Sequence, residues 1–361
     1  MTTQNLQSPT TDSVRPERCY DVAVLGGGAA GLSGALALAR ARRSVVVIDA
    51  GHPRNAPADG VHNYLAREGT SPAELLASGR AEVIGYGGEF LAGTVATAER
   101  ITGGGFRVVL DDGTAVVADR LLVTTGLVDE LPQVPGVAER WGRDVLHCPY
   151  CHGWEVRDQA IGILATGPMA VHAALMWRQL SADVTLFSHT APEASAEERE
   201  QFAARGISVI DGQVTGLEVT DDRLTGVNLA DGRVIPIQAL VVTPRFTART
   251  DAFVGLGLEP ADLEVRGHVI GSYIAADATG ATSVPGVWVA GNVADPTAQV
   301  IGAAAAGLKA GATINADLIA QDTARAVTAY RARKPAAHDP FSAQVEAELC
   351  ERVLGDSRHG L

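Results

Sequence analysis

The stretch Tyr20–Asp49, YDVAVLGGGAAGLSGALALARARRSVVVID, decides how the rest of the chain is read. Residues 20–25 form an apolar run of strand length that stops at Gly26-Gly27-Gly28-Ala29-Ala30-Gly31. An Ala/Leu-rich segment of helical pattern follows to about Arg40, and Ser44–Asp49 is a second buried strand ending in an acid. Strand, glycine turn, helix and strand make a βαβ unit. The three glycines of Gly26-x-Gly28-x-x-Gly31 play different parts. The first permits the tight turn, the second lets a pyrophosphate approach the backbone, and the third lets helix and strand pack closely. The helix start, with Ala29 and Ala30 in its first turn, offers unpaired N–H groups and the positive end of a dipole. Asp49, with Ala50 after it, stands where a carboxylate grips ribose hydroxyls. A glycine turn without a ligand is the plainer alternative; strand, helix and acid in register argue for a dinucleotide.

Working outward, residues 71–89 read as a helix, and Phe106–Leu110 and Ala115–Val117 as strands joined by the turn Asp111-Asp112-Gly113. Leu121–Val123 is a further strand, ending at Thr124-Thr125-Gly126, and Pro132 and Pro135 mark a crossing segment. A second unit repeats the plan, with a strand at 160–164, a helix at 169–180, a strand at 183–187, and later strands around Val209 and 234–237. Residues 239–244 (ALVVTP) echo 120–125 (RLLVTT), as if one fold were used twice. Residues 287–290, with Gly291-Asn292, return to the character of the first unit, and a helix is expected from Ile301 to about Ala320. The expectation is an α/β protein whose second domain is inserted into the first: 20–142 with 246–321, and 143–245. A flexible lead (1–19) and a helical extension (322–361) flank them. In the extension Phe341, Val345 and Leu349 share a helix face suited to packing, and His359-Gly360-Leu361 is a lesser candidate for the active site.

With 361 residues, 46% apolar, the chain can build about two domains, and 40 glycines suit an α/β fold rich in turns. A net charge of -13 argues against nucleic acid, anionic membranes and an acidic partner such as a ferredoxin. The polar first 17 residues hold no signal-peptide core, and no run of ~18 apolar residues exists to span a membrane. A cytoplasmic protein is expected. There a cysteine pair points to redox chemistry or metal before structure. Cys19 and Cys350 are isolated and expected to be unpaired.

Cys148-Pro149-Tyr150-Cys151-His152 supplies the pair. Two thiols two residues apart can close into a reversible disulfide, and a neighbouring His can move the proton that this requires. Zinc normally takes four ligands, and no second pair exists, so no metal is expected. The glycine site, being the N-terminal one of two, is expected to hold FAD. Gly291-Asn292-Val293 stands where two-nucleotide flavoproteins carry a Gly-Asp against the ribityl chain, and an amide can still bond a hydroxyl there. Gln299 and Val300, at a helix start, and Asn55 and Asn63, in the loop after Asp49, are further flavin-contact candidates.

Over roughly residues 20–320 the chain resembles the low-molecular-weight thioredoxin reductase family. Its landmarks are Gly26–Gly31, Asp49, Thr124-Thr125-Gly126, Cys148–Cys151, Gly291-Asn292 and Gln299. The resemblance implies two Rossmann-like, three-layer ββα domains, bound FAD contacted also by Thr125 and Gly126, a homodimer, and a Cys148–Cys151 disulfide. Cys151 would face the flavin and Cys148 the substrate.

Two departures redirect the function. His152 replaces the acidic residue that follows the second Cys in the family; with a reference pKa of ~6.5 it can accept and donate protons near neutrality. His147 is a weaker candidate for the same work. The second glycine turn reads Ala165-Thr166-Gly167-Pro168-Met169-Ala170, and the loop meant for a 2′-phosphate, residues 188–193, contains no Arg. NADPH binding is therefore doubtful. The combination resembles thioredoxin-reductase-like dithiol oxidases, which form the disulfides of small natural products such as gliotoxin and holomycin. The expectation is oxidation of a small dithiol with O2 as acceptor and H2O2 as product, in one fixed arrangement with Cys151 beside the flavin. The alternative is an NADPH-dependent or ferredoxin-driven disulfide reductase. Trp154 could line the substrate pocket, Trp177 reads as packing, and Glu197–Glu200 as a solvated helix face.

Overall fold

The computed structural model describes residues 17–265, 267–333 and 343–354. The first strands are β1 (Arg18–Leu25), β2 (Val45–Asp49), β3 (Glu89–Ala92), β4 (Val95–Arg100), β5 (Phe106–Leu110), β6 (Ala115–Val123) and β7 (Leu127–Glu130). Next come β8 (Val145–Leu146), β9 (Ile161–Leu164), β10 (Val184–Phe187), β11 (Ser208–Ile210), β12 (Val214–Thr220), β13 (Arg223–Leu229), β14 (Val234–Pro236) and β15 (Ala239–Val241). The last are β16 (Arg245–Ala248), β17 (Ala261–Val265), β18 (His268–Tyr273) and β19 (Val287–Val289). The helices are α1 (Ala29–Arg40), α2 (Pro72–Gly85), α3 (Val137–Arg140), α4 (Pro149–His152), α5 (Met169–Trp177), α6 (Ala196–Arg205), α7 (Val300–Arg333) and α8 (Ala343–Leu354).

A seven-stranded sheet, β3-β2-β1-β6-β5-β4 with β19 on β6, carries the opening βαβ unit. β1 and β2 are parallel, with Val22 opposite Val45 and Leu25 opposite Ile48, and Val22–Leu25 and Val45–Ile48 are buried throughout, as covered parallel strands must be. β1 starts at Arg18, before the expected Tyr20. β6 corrects the expectation of two strands at 115–117 and 121–123. Its first half pairs antiparallel with β5 and its second half parallel with β19, while β1 runs beside both. Polar Asp119 and Arg120, at the change-over, make one strand look like two.

A five-stranded parallel sheet, β11-β10-β9-β15-β8, and a three-stranded meander, β12-β13-β14, hold every strand from β8 to β15. Before and after them, β7 and β16 pair antiparallel within a four-stranded sheet, β17-β18-β16-β7. The expected helix 169–180 stops at Trp177. Its last residues tighten into three-residue turns, with Gln179 N–H on Met176 and Leu180 N–H on Trp177.

The Gly/Ala-rich start of α7 has a packing reason. A Cβ on Gly307 would stand 1.9 Å from the Ala30 carbonyl oxygen, so only glycine lets α7 meet α1 there. The described residues up to Ile314 form one compact unit. A second begins at Asn315, with the rest of α7 and α8. On α8 Val345 is half-buried and Leu349 exposed; Phe341 and His359-Gly360-Leu361 lie outside the described residues. Among the described residues no helix is long and apolar enough to cross a membrane.

Candidate functional site

A cavity of about 1090 Å³ gathers nearly all the residues singled out from sequence. Its wall takes Gly26, Gly28, Ala29, Ala30, Asp49, Ala50, Asn55, Thr125, Gly126, Gly291, Asn292, Gln299 and Val300, and also His147, Cys148, Cys151 and His152. Two expected residues are not on it. Gly31 lies beneath the turn, where a Cβ would stand 1.9 Å from the Gly26 carbonyl oxygen. Asn63, at φ 57°, instead donates its side-chain amide to the Tyr150 carbonyl at 2.6 Å, tying the loop after β2 to the Cys helix.

At one end of the cavity the glycine turn is held open. Gly26 sits at φ 114°, its N–H on the Ile48 carbonyl, and Thr124 Oγ1 donates to the Gly26 carbonyl at 2.8 Å. Gly27, which the motif leaves unassigned, lies against the Asp49 carboxylate; a Cβ there would be 2.6 Å from Oδ2. A Cβ on Gly28 would meet nothing within 4 Å and would project into empty space. Gly28 caps α1 without a side chain, and the first bond of the helix comes from Leu32 N–H, so the N–H groups of Ala29 and Ala30 are left for a ligand. Asp49 pairs with Arg80 at 3.3 Å and keeps acceptor capacity. Gln299 caps α7, accepting from Ala303 N–H, so a second helix N-terminus opens here. Asn292 donates its amide to the carbonyls of Asp295, Pro296 and Ala298, which leaves Oδ1 as its remaining polar atom. A space that a Cβ would fill, beside unpaired N–H groups and a ribose acid, fits FAD.

The Cys pair lies on the same cavity, at the start of α4. Cys148 is the N-cap, and its carbonyl accepts from Cys151 and His152 N–H at 3.2 and 3.1 Å. Both thiols are free and half-buried. The hydrogen bond from Cys151 lowers Cys148 to about 7 despite its burial, helped by the N–H groups of Cys151 and Tyr150 and by the charge of Arg54. The same bond, with burial, pushes Cys151 far above the usual thiol range. Cys148 is therefore the thiolate and Cys151 its donor. Burial holds His152 below the ordinary imidazole range, partly offset by Glu155 and Asp59, so it is neutral at pH 7 and open to a proton. His147 is also depressed by burial. Its Nδ1 faces the Val242 carbonyl at 3.2 Å, which can only accept, so Nε2 carries the lone pair. Among the described residues no three His, Cys, Asp or Glu side chains gather as a metal site.

The second turn differs. Pro168 caps α5 without a side-chain bond, and the Ala165 carbonyl is occupied by Thr190 and Ala191 N–H at 3.3 and 3.2 Å. His189, at φ 43°, accepts from Val214 N–H, and Ser188 donates to Asp211. The loop thus folds back on the turn, and the shallow cleft beside Thr166, His189 and Gln213 has no Lys or Arg on its wall.

Several site residues are not legible in the sequence. Arg54 makes a two-pronged bond to Asp129 at 2.7 and 2.6 Å, with the Asp129 side chain 7% exposed and that of Arg54 32%. Its guanidinium lies 5.5 Å from the Phe246 ring, which packs edge-on to His147 at 5.2 Å. His62 pairs with Glu68 at 2.6 Å and with Glu155, just past α4, at 3.4 Å. Most of these partners lie far along the chain, and no local pattern announces them. Trp154 does not line the cavity; it is exposed, with Arg157 stacked on it at 4.2 Å. Trp177 is fully buried in the core and also borders the cavity.

Comparison with known proteins adds a family. Residues 20–319 match the family described as pyridine nucleotide-disulphide oxidoreductase. The thioredoxin reductase sirT of Leptosphaeria maculans is 30% identical over 321 residues, covering 84% of this chain and 96% of its own. The thioredoxin reductase tcpT of Claviceps purpurea is 36% identical over 177 residues, 47% of this chain; here the chain spans about half of the relative's length, 55%. The crystal structure of HlmI superposes with a TM-score of 0.80 at 48% identity, over 86% of this chain and 95% of that one.

Proposed function

Because the chain belongs to the pyridine nucleotide-disulphide oxidoreductase family and is a thioredoxin-reductase-like flavoenzyme that uses FAD, we propose that it oxidises a small dithiol to a disulfide through Cys148 and Cys151, with O2 as electron acceptor. The observation that carries this reading is the contrast within one molecule. The Cys pair shares a cavity with an open flavin cradle, while the cleft beside the second nucleotide turn has no Lys or Arg on its wall and the loop after β10 bonds the Ala165 carbonyl.

The cycle starts from the oxidised pair. A substrate thiolate attacks Cys148 Sγ; the Cys148–Cys151 bond breaks and a substrate–Cys148 disulfide forms. The second substrate thiol, its proton taken by His152, attacks the substrate sulfur of that bond and expels Cys148 as thiolate. A thiol that ionises at about 7 is a good leaving group, which suits Cys148 to this role. Gly28, the first turn of α1, Asp49, Asn292 and Gln299 would hold FAD, which supplies a two-electron acceptor that oxygen regenerates. The net reaction converts dithiol plus O2 to disulfide plus H2O2. Residues 143–245 then serve as a thiol-handling domain inserted between 20–142 and 246–321. From the family resemblance and the acidic charge we also propose a cytoplasmic homodimer.

Oxygen uptake and peroxide release with a small dithiol, without nicotinamide, are the test. Rapid bleaching of the flavin by NADPH with no turnover of any dithiol would overturn the proposal in favour of a reductase.

A further inference from the structure

α5 shows two different stripes. Ala170, Ala174 and Trp177 are buried in the core against the five-stranded sheet. Met169, His172, Ala173 and Met176, spaced i, i+3, i+4 and i+7, line the cavity that holds the Cys pair, with Trp177 bordering both it and the core. Met169 and Met176 are the only methionines of the chain apart from Met1. Methionine is unbranched and polarisable, and it moulds to irregular apolar shapes.

The charge around this stripe is specific. The charged side chains on the cavity wall belong elsewhere: Asp49 pairs with Arg80, and Arg54 with Asp129. Arg249 and Asp251 follow β16 at the Gly126 end, where Arg249 N–H donates to the Gly126 carbonyl. None of these lies on α5, whose polar side chain on this wall is His172, at the exposed edge. An ionised group set against Met169 and Met176 and away from His172 would lose water and gain no partner.

We propose that this face of α5 is the wall on which the non-reacting part of the substrate lies, and that it selects uncharged, apolar dithiols of low molecular weight. The proposal rests on the dithiol-oxidase reading and deepens it. In this chain the helix that would carry a nucleotide's phosphates at its tip has become a side wall for the thiol substrate.

Two dithiols with the same reacting end separate the cases: dihydrolipoamide, which is neutral, and dihydrolipoate, which is an anion. Oxygen uptake by the holoenzyme gives kcat/KM for each. The amide is expected to be preferred on the order of tenfold or more. Met169→Lys and Met176→Lys should each collapse or invert that ratio, whereas Met176→Leu should keep it. The ratio is unaffected by loss of active protein. A binding readout without turnover accompanies it: S,S′-dimethyl dihydrolipoamide should raise the melting temperature of the wild type but not of Met176→Lys. A ratio near one in the wild type, or one unchanged by both lysines, overturns the wall while leaving dithiol oxidation in place. No oxidation of either dithiol overturns the reading beneath it, and the wall with it.

Discussion

The turns Gly26–Gly31 and Ala165–Ala170 follow parallel strands in a mixed seven-stranded and a parallel five-stranded sheet, and their carbonyls are bonded differently. In both, the first residue of the turn donates its N–H to the end of the neighbouring strand, Gly26 to Ile48 and Ala165 to Phe187, but the Gly26 carbonyl accepts from the Thr124 side chain. In the second, Thr190 and Ala191 bond the turn from the loop that should have faced a phosphate. At the second turn larger residues stand where the first has glycine, and the opposing loop bonds the turn's carbonyl.

The comparison is most severely tested at Gly31. A Cβ 1.9 Å from the Gly26 carbonyl oxygen cannot be accommodated without moving backbone, so Gly31→Ala should cost about 2–4 kcal/mol and yield little flavin-loaded protein. Thermal melting and the flavin-to-protein absorbance ratio report it. A well-folded, fully yellow Gly31→Ala protein would show that the turn is not as tight as described.

Gly28→Ala and Gly167→Ala form a matched pair, because a Cβ at either position meets nothing within 4 Å. If only the first turn serves a nucleotide, Gly28→Ala should weaken FAD roughly 10–100-fold with little change in apoprotein stability, while Gly167→Ala should leave flavin content and turnover as they were. Flavin fluorescence on titrating apoprotein measures the first effect. Equal responses at both positions would dissolve the contrast.

At the Cys end the expected effect is about tenfold per pH unit. Alkylation of the reduced protein by iodoacetamide follows thiolate, so modification of Cys148 should rise with pH through about 7 and then level off, while Cys151 stays unreactive well above that. The sign follows from the hydrogen bond between them: it favours the charged form of the acceptor, Cys148, and the protonated form of the donor, Cys151. Peptide mapping of the label distinguishes the two. Faster labelling of Cys151 would reverse the assignment.

The fold is legible where the decisive contacts are local. Apolar runs, the glycine turn and the acid at Asp49 lie within 30 residues of each other, and backbone geometry alone relates them. Most of the expected flavin contacts fall on the cavity wall for the same reason, since they end strands or start helices. Asn63 falls in the expected loop but makes a different contact, because the Tyr150 carbonyl it holds is brought to it only by tertiary folding. Arg54 escapes for the same cause: a lone arginine in a polar loop reads as solvated, and nothing in the loop indicates a buried Asp129 opposite. β6 is obscured differently, since a strand that changes partners midway carries two patterns in one element.

Asn292 is the smallest and sharpest case, because there the first turn's end of the molecule departs from the resemblance in a single atom. In sequence the Asn reads as a tolerated substitute for an acid facing the flavin. Its amide instead donates to three backbone carbonyls, at 3.1, 3.4 and 2.9 Å, and so shapes the loop that delivers Gln299 to the cavity. Asn292→Asp would turn a carboxylate oxygen toward those carbonyls, and the expected loss is about 1–2 kcal/mol at neutral pH. Only the protonated acid could donate, so folding would raise the pKa of the introduced carboxyl above its unfolded value. The stability tied to that proton is present below the unfolded pKa and lost as pH rises through the folded one. The gap in melting temperature between wild type and Asn292→Asp should therefore be wider at pH 7 than at pH 5. A gap that is absent, or that widens toward acid, would mean that the loop does not depend on the amide and that the acid-for-amide exchange acts at the flavin alone.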